Sequence, residues 1–179
     1  MPLLSESEIL DVLAGIAAST KAFDGRPAWR RQGARTSEVW MLTCGLRLNG
    51  VLAGGASVRL KTPVDAWEDD VYGHVEVRVI GIPRAFRLDP VEWRPLAPHT
   101  NSPNAPGELA SLTLFDRHHP CDLNLPFGLP VFQQIAPGVA APLPRDIPTF
   151  QEYVNLCAEV WRCPDMRTIQ PPEWAETLL

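Results

Sequence analysis

EVWMLTCGLRLNGVLAGGASVRL, residues 38–60, reads as two extended runs closed by Asn49-Gly50. Both central residues of a type I′ turn take positive φ, and Asn-Gly is the pair that tolerates this best, so a β-hairpin is expected. Counting outward from the turn sets Leu48 against Val51, and so Leu42 against Ser57 and Trp40 against Arg59. Side chains alternate with period two, and that register turns the apolar residues of one strand away from those of the other. A one-residue bulge at Gly54-Gly55 restores the match. It places Val58 and Leu60 on the face of Trp40 and Leu42, and glycine is the residue such a bulge prefers.

Further strands are expected on the C-terminal side. The acidic run DAWEDD (65–70) lacks the alternating oxygen ligands and the glycine of a calcium loop and reads as a solvated connection. Val71, Val75, Val77 and Val79 then share one face of a strand, and His74, Glu76 and Arg78 share the other. Such a polar row is either the wet face of an antiparallel sheet or one wall of a site. Phe86 and Leu88 begin a short strand that Pro90 interrupts, and Val91 to Arg94 resume an extended path. PLAPHTNSPNAPG (95–107) has the composition of a rigid, irregular loop. Ala110, Leu112 and Leu114 alternate into a last strand, which delivers Asp116, Arg117, His118 and His119 at its end.

Two helices bracket this region. Ser5 with Glu8 is a capping-box pattern, and Ile9, Val12, Leu13, Ile16 and Ala17 form one stripe, which predicts a helix near Glu6–Lys21 stopped by Asp24-Gly25. Thr149 with Glu152 repeats the pattern, so a second helix is expected over 150–162 with Phe150, Val154, Cys157 and Trp161 buried. Ile169 and Trp174 are expected to pack back on the body. The chain of 179 residues, 45% apolar, therefore reads as a single α+β domain over 1–179. Its largely antiparallel sheet is flanked by an N-terminal and a C-terminal helix, with long proline-rich loops. The helices cover one face and the His74 row occupies the other.

A formal net charge of −5 argues against a surface built as a whole for nucleic acid. The basic stretch Arg26, Arg30, Arg31 and Arg35, with Trp29 among them, makes such a partner possible, but an edge strand is the favoured reading. The start of the chain carries Glu6, Glu8 and Asp11 where a signal peptide needs an apolar run, and no run approaches the roughly 20 apolar residues of a membrane span. Cys44, Cys121, Cys157 and Cys163 have no regular spacing and read as reduced thiols. A cytoplasmic protein that does not engage a membrane is expected.

Candidate chemistry gathers at 95–124. His74-Val75-Glu76 and Pro120-Cys121 are fragments of a zinc deaminase signature, but Asn124 stands where the second cysteine ligand is needed. His99, His118, His119, Cys121 and Asp122 are also metal-donor types, yet adjacent strand residues point to opposite faces, so no metal and no cofactor is expected. Metal-free acid–base chemistry on a phosphate ester could use His99 and His118, with Arg94 or Arg117 stabilising the developing charge. Equally, the 95–107 loop and the 116–122 turn form a recognition surface. His74, Glu76, Arg78, Asn101, Asp116, Arg117 and His119 are its candidate ligand-binding residues. No hydrolase, Walker or dinucleotide motif is present. The leading expectation is a binding or interaction module for a protein or small-molecule partner. The alternative is a small histidine-dependent phosphodiesterase or nuclease.

Overall fold

The structure, a computed structural model, describes residues 4–33, 38–136 and 138–172. Helix α1 (Glu6–Ala18) leads into β1 (Lys21–Asp24), β2 (Trp29–Gln32), β3 (Val39–Leu48), β4 (Val51–Pro63), β5 (Val71–Val77) and β6 (Phe86–Trp93). The short strands β7 (His99–Thr100), β8 (Thr113–Leu114) and β9 (Arg117–His118) follow, with single helical turns α2 (Cys121–Asn124) and α3 (Leu129–Phe132). Strand β10 (Ala141–Pro142) and helix α4 (Phe150–Val160) complete the order. The main sheet runs β1-β3-β4-β5-β6-β9-β10, with β2 also paired to β3, while β7 and β8 form a separate ribbon. All of these pairings are antiparallel. The fold is α+β, and α1 and α4 both pack against β6.

The Ser5–Glu8 capping box forms in full. Helix α1 nevertheless stops at Ala18, because the buried Lys21 ammonium donates to the carbonyls of Ala17 and Ser19 and so caps the helix end. Lys21 to Asp24, expected to be the tail of the helix and its stop, instead pair with β3 as a strand. Val12 is exposed, and Ile9 and Leu13 are the buried members of the stripe. In α4, Thr149 accepts from the Glu152 amide, and Phe150, Val154, Cys157 and Trp161 are all buried as expected. Ile169 is buried too, whereas Trp174 and Arg35 lie outside the described residues.

The hairpin turns at Asn49 (φ 49°) and Gly50 (φ 82°), and its bulge is larger than the sequence suggests. Pairing passes from Arg47↔Leu52 to Gly45↔Ser57, five steps along β4 against two along β3. Three extra residues, like one, reverse the parity. Leu42 consequently faces Leu60 and Cys44 faces Val58, all inside the core. Gly55 makes this possible with φ at 119°, and a Cβ there would lie 2.7 Å from the Arg78 carbonyl oxygen.

β6 contains the second parity switch. Its apolar residues Phe86, Leu88, Val91 and Trp93 cannot share one face of an uninterrupted strand, yet all four are fully buried. The pairing shifts from Val75↔Leu88 to Gly73↔Val91, so Asp89 and Pro90 carry one extra residue, with Asp89 at φ 46°. Pro90 therefore sits in a bulge and does not break the strand. α4 clasps this region: the Trp161 indole donates to the Asp89 carbonyl (2.7 Å) and the Tyr153 hydroxyl to the Val91 carbonyl (3.1 Å). Gly73 permits the approach, since a Cβ there would stand 2.6 Å from the Tyr153 hydroxyl and 2.8 Å from the Trp161 ring.

Two expectations are corrected. The stretch 110–114 is not a continuous strand: only Thr113 and Leu114 extend, in the side ribbon, after a 3₁₀ turn at Gly107–Leu109. The His74 row is not wet either, since His74 and Glu76 are each 5% exposed, and only Arg78 reaches solvent beyond the end of β5.

Gly55→Val should lower stability by about 2–4 kcal/mol in urea unfolding, because it combines positive φ with a backbone clash. Gly54→Ala, with open space at its Cβ, should change it by less than about 1 kcal/mol. Equal losses at the two positions would count against this bulge.

Candidate functional site

Beyond the bulge, β6 turns Glu92 to the same polar face as Arg87, and the register sets Tyr72 of β5 directly beside Glu92. β9 pairs with β6 through Val91↔His118 and Glu92↔Arg117, and the Pro90 carbonyl accepts from the His119 amide. His119 is thereby fixed over Glu92. His99 arrives from β7, and Val131, Phe132, Ile135 and Ala136 supply an apolar wall. Tyr72, Arg87, Glu92, His99, His119 and this wall line an open cavity of about 320 Å³.

Glu92 anchors one side. Arg117 meets it in a two-pronged ion pair (2.5 and 3.0 Å), and the other Arg117 nitrogen donates to the carbonyls of Ala97, Leu114 and Phe115. His119 Nε2 lies 3.2 Å from the same carboxylate. Burial pushes the Glu92 carboxyl up, but the His119 hydrogen bond and the Arg117 charge more than offset it, leaving it below its ordinary 4.5. The carboxylate accepts, so His119 Nε2 carries the proton. Its Nδ1 is then the basic position, with no hydrogen-bond partner among the described residues.

The His99 ring meets the His119 ring edge-on, centroids 5.1 Å apart. His99 Nε2 lies 3.1 Å from Asn101 Oδ1. That oxygen also accepts from the Ala140 amide, while the Asn101 amide nitrogen donates to Leu109 and Ala140 carbonyls, so its orientation is unambiguous. His99 Nε2 is accordingly a donor. Burial, with the nearby charges of His119 and Arg117, holds His99 below its ordinary 6.5. Opposite, Arg87 donates to the Gln134 side-chain oxygen and lies 3.5 Å from the Tyr72 hydroxyl, which also accepts from Gln134 at 3.1 Å.

The sequence-based candidates separate in space. His99 and His119 come together, Asn101 meets His99, Arg117 pairs with the Glu92 carboxylate that His119 also meets, and His118 does not line the cavity: its Nε2 is 3.6 Å from an Asp89 oxygen. Adjacent strand residues diverge, so the histidine paired with His99 is His119. Arg94, with φ at 50°, stacks on Trp93 and donates to the Pro148 carbonyl, and Asp116 accepts from its amide; neither lines the cavity. The arginine that does so is Arg87. Glu76 pairs with Arg59 and Arg78 farther along the sheet, next to His74. Trp29 is tied to the body, its indole donating to the Gln170 carbonyl and its ring packing against Phe150.

No protein-family model, curated protein or solved structure matches the chain. Among the described residues, no group of three or more His, Cys, Asp or Glu is placed to hold a metal ion, and no helix is long and apolar enough to cross a membrane. The Asn124 side chain is engaged with the Pro120 and Val139 backbone, and burial pushes the Cys121 thiol up to about 12.

Tyr72, Arg87, Glu92 and Gln134 were not singled out from the sequence. Tyr72 shares the parity of His74 and was within reach of the period-two pattern. Arg87 and Glu92 share a face only across the β6 bulge, and Gln134 carries no local signal.

Glu92→Gln should cost about 3 kcal/mol at pH 7, because it leaves Arg117 buried without its carboxylate. A carboxyl with lowered folded-state pKa stabilises fully above its unfolded value and loses that stabilisation as pH falls through the folded value. The gap between parent and variant should thus narrow progressively as pH falls below about 4.5 in urea unfolding. A gap independent of pH would show that the charge is not what stabilises.

Proposed function

We propose that the chain is a binding module for a small molecule bearing an anionic group, seated between Arg87 and the His99–His119 pair. The observation that carries this reading is the charge balance of the cavity. Glu92 is already matched by Arg117 and His119, while Arg87 donates only to the neutral oxygens of Gln134 and Tyr72 among the described residues. One positive charge thus faces an apolar-walled cavity beside two imidazoles, the combination of many apolar and few convergent polar groups that suits a small ligand. His99 and His119 belong to the loop and the turn that the sequence marks as the recognition surface.

A second reading is favoured by one feature: the Glu92–His119 arrangement orients an imidazole as a general base. Phosphodiester cleavage by two histidines needs attacking and leaving oxygens roughly in line on opposite sides of phosphorus. Rings in edge contact at 5.1 Å cannot flank a phosphorus in that way. Enzymatic action here would rest on His119 as a single base, and binding remains the better-supported function. Four buried cysteines, none in a disulfide, favour a cytoplasmic location.

Ligand-observed NMR against a panel of small carboxylates and phosphomonoesters tests the proposal. At least one class should bind, and Arg87→Gln should weaken it roughly tenfold or more, the effect of one charge-assisted hydrogen bond. Absence of binding across the panel, or equal binding by the variant with unchanged circular dichroism, would overturn it.

A further inference from the structure

The polar face carries a second groove, of about 360 Å³, separated from the first cavity by Arg87, Tyr72 and Gln134, which line both. Arg59 and Lys61 of β4 line it, with His74 of β5 at its base. Strand register explains the grouping: Arg59 pairs with His74 and Lys61 with Tyr72, so four side chains of two neighbouring strands rise on one face. His74 is 5% exposed, and neither of its ring nitrogens has a hydrogen-bond partner among the described residues. The Arg59 Nε is in the same condition. Buried polar atoms in folded proteins are nearly always paired, so three together mark a position built for something besides packing.

The charges around His74 can be taken strand by strand. β4 presents Arg59 and Lys61, and β6 presents Arg87. Its own strand contributes Tyr72, whose ring lies 5.2 Å away, and Glu76; the segment after α3 contributes neutral Gln134, and β3 only Met41. Glu76 is divided between Arg59 (3.1 Å) and Arg78 (3.0 Å). Three cations therefore surround a neutral imidazole with one shared carboxylate nearby. Burial, and then the charges of Arg87 and Arg59, push His74 down to about 3.

We propose that this groove is a site for a tetrahedral oxyanion of the phosphate class, held by Arg59, Lys61 and Arg87, with His74 donating to it from beneath and taking up a proton as it binds. Donors from two neighbouring strands, from β6 and from below suit the spread oxygens of phosphate or sulfate better than the two coplanar oxygens of a carboxylate. Such an anion reverses the local field. The guanidinium charges that oppose protonation of His74 are neutralised, and an imidazolium N–H gains the acceptor that the protein does not provide. Binding and proton uptake are thereby coupled, and each promotes the other. The inference does not require the first cavity to bind anything, although the two sites share Arg87.

Inorganic sulfate is the first probe, because its charge does not change near neutrality. Its affinity, followed by calorimetry and by the imidazole NMR signal of His74, should rise about tenfold between pH 7.5 and pH 5.5, the effect of one linked proton over part of that range. His74→Gln should retain sulfate binding at pH 7.5 and lose the pH dependence. Lys61→Gln alters an exposed side chain without threatening the fold and should weaken binding several-fold at both pH values. Comparing inorganic phosphate with phenyl phosphate separates the sources: tighter binding of the ester assigns the head group of a larger molecule, and equal binding assigns the free ion. Failure of sulfate and phosphate to shift His74, a pH dependence that survives in His74→Gln, or unchanged affinity in Lys61→Gln would each overturn the proposal.

Discussion

The extra residue at Asp89-Pro90 in β6 is the constraint on which the rest of the molecule depends. An unbroken strand from Phe86 would put Pro90 and Glu92 in the apolar layer and turn Val91 and Trp93 outward. The bulge prevents this and needs support, because Asp89 is held at positive φ (46°). Support comes from four directions. Trp161 donates to the Asp89 carbonyl and the Cys121 amide to its carboxylate, both at 2.7 Å; His118 approaches that carboxylate, and the charge of Lys21 attracts it. The C-terminal helix and the turn after β9 thus meet on one irregular backbone position, within the field of Lys21 from the N-terminal part of the chain. The core and the cavity are two sides of it, since the bulge that buries Trp93 also lifts Glu92 beside Arg87.

How much of this was legible in the sequence depends on whether the signal was local. Capping at Ser5 and Thr149, the Asn49-Gly50 turn and the alternation around Val75 are written within a few residues, and the antiparallel α+β fold follows from them. The need for a bulge near Gly55 was also legible, as a conflict between turn register and apolar pattern. The same conflict stood in β6, where Phe86 and Leu88 are out of step with Val91 and Trp93, but Pro90 offered a simpler reading as a strand end. Side-chain partnerships across the sheet were not legible. Arg117 has the look of a ligand-binding group until three carbonyls and Glu92 are seen to occupy it, and His118 and His119 are distinguished only once β9 is paired. The end of α1 was missed for a similar reason, because Lys21 caps the helix through its buried ammonium and not through any short motif.

Arg87 forms part of the partition between two neighbouring cavities, and this has a thermodynamic consequence. A guanidinium is a single charge, and an anion that approaches from one side lowers the potential felt from the other. Reciprocity then requires that occupancy of either compartment penalise anion entry into its neighbour by the same factor, with no movement of the sheet. A neutral or cationic occupant would carry no such penalty. The two compartments would thus be negatively coupled for anions and uncoupled for neutral occupants, distinguishing between pairs of occupants by their charge.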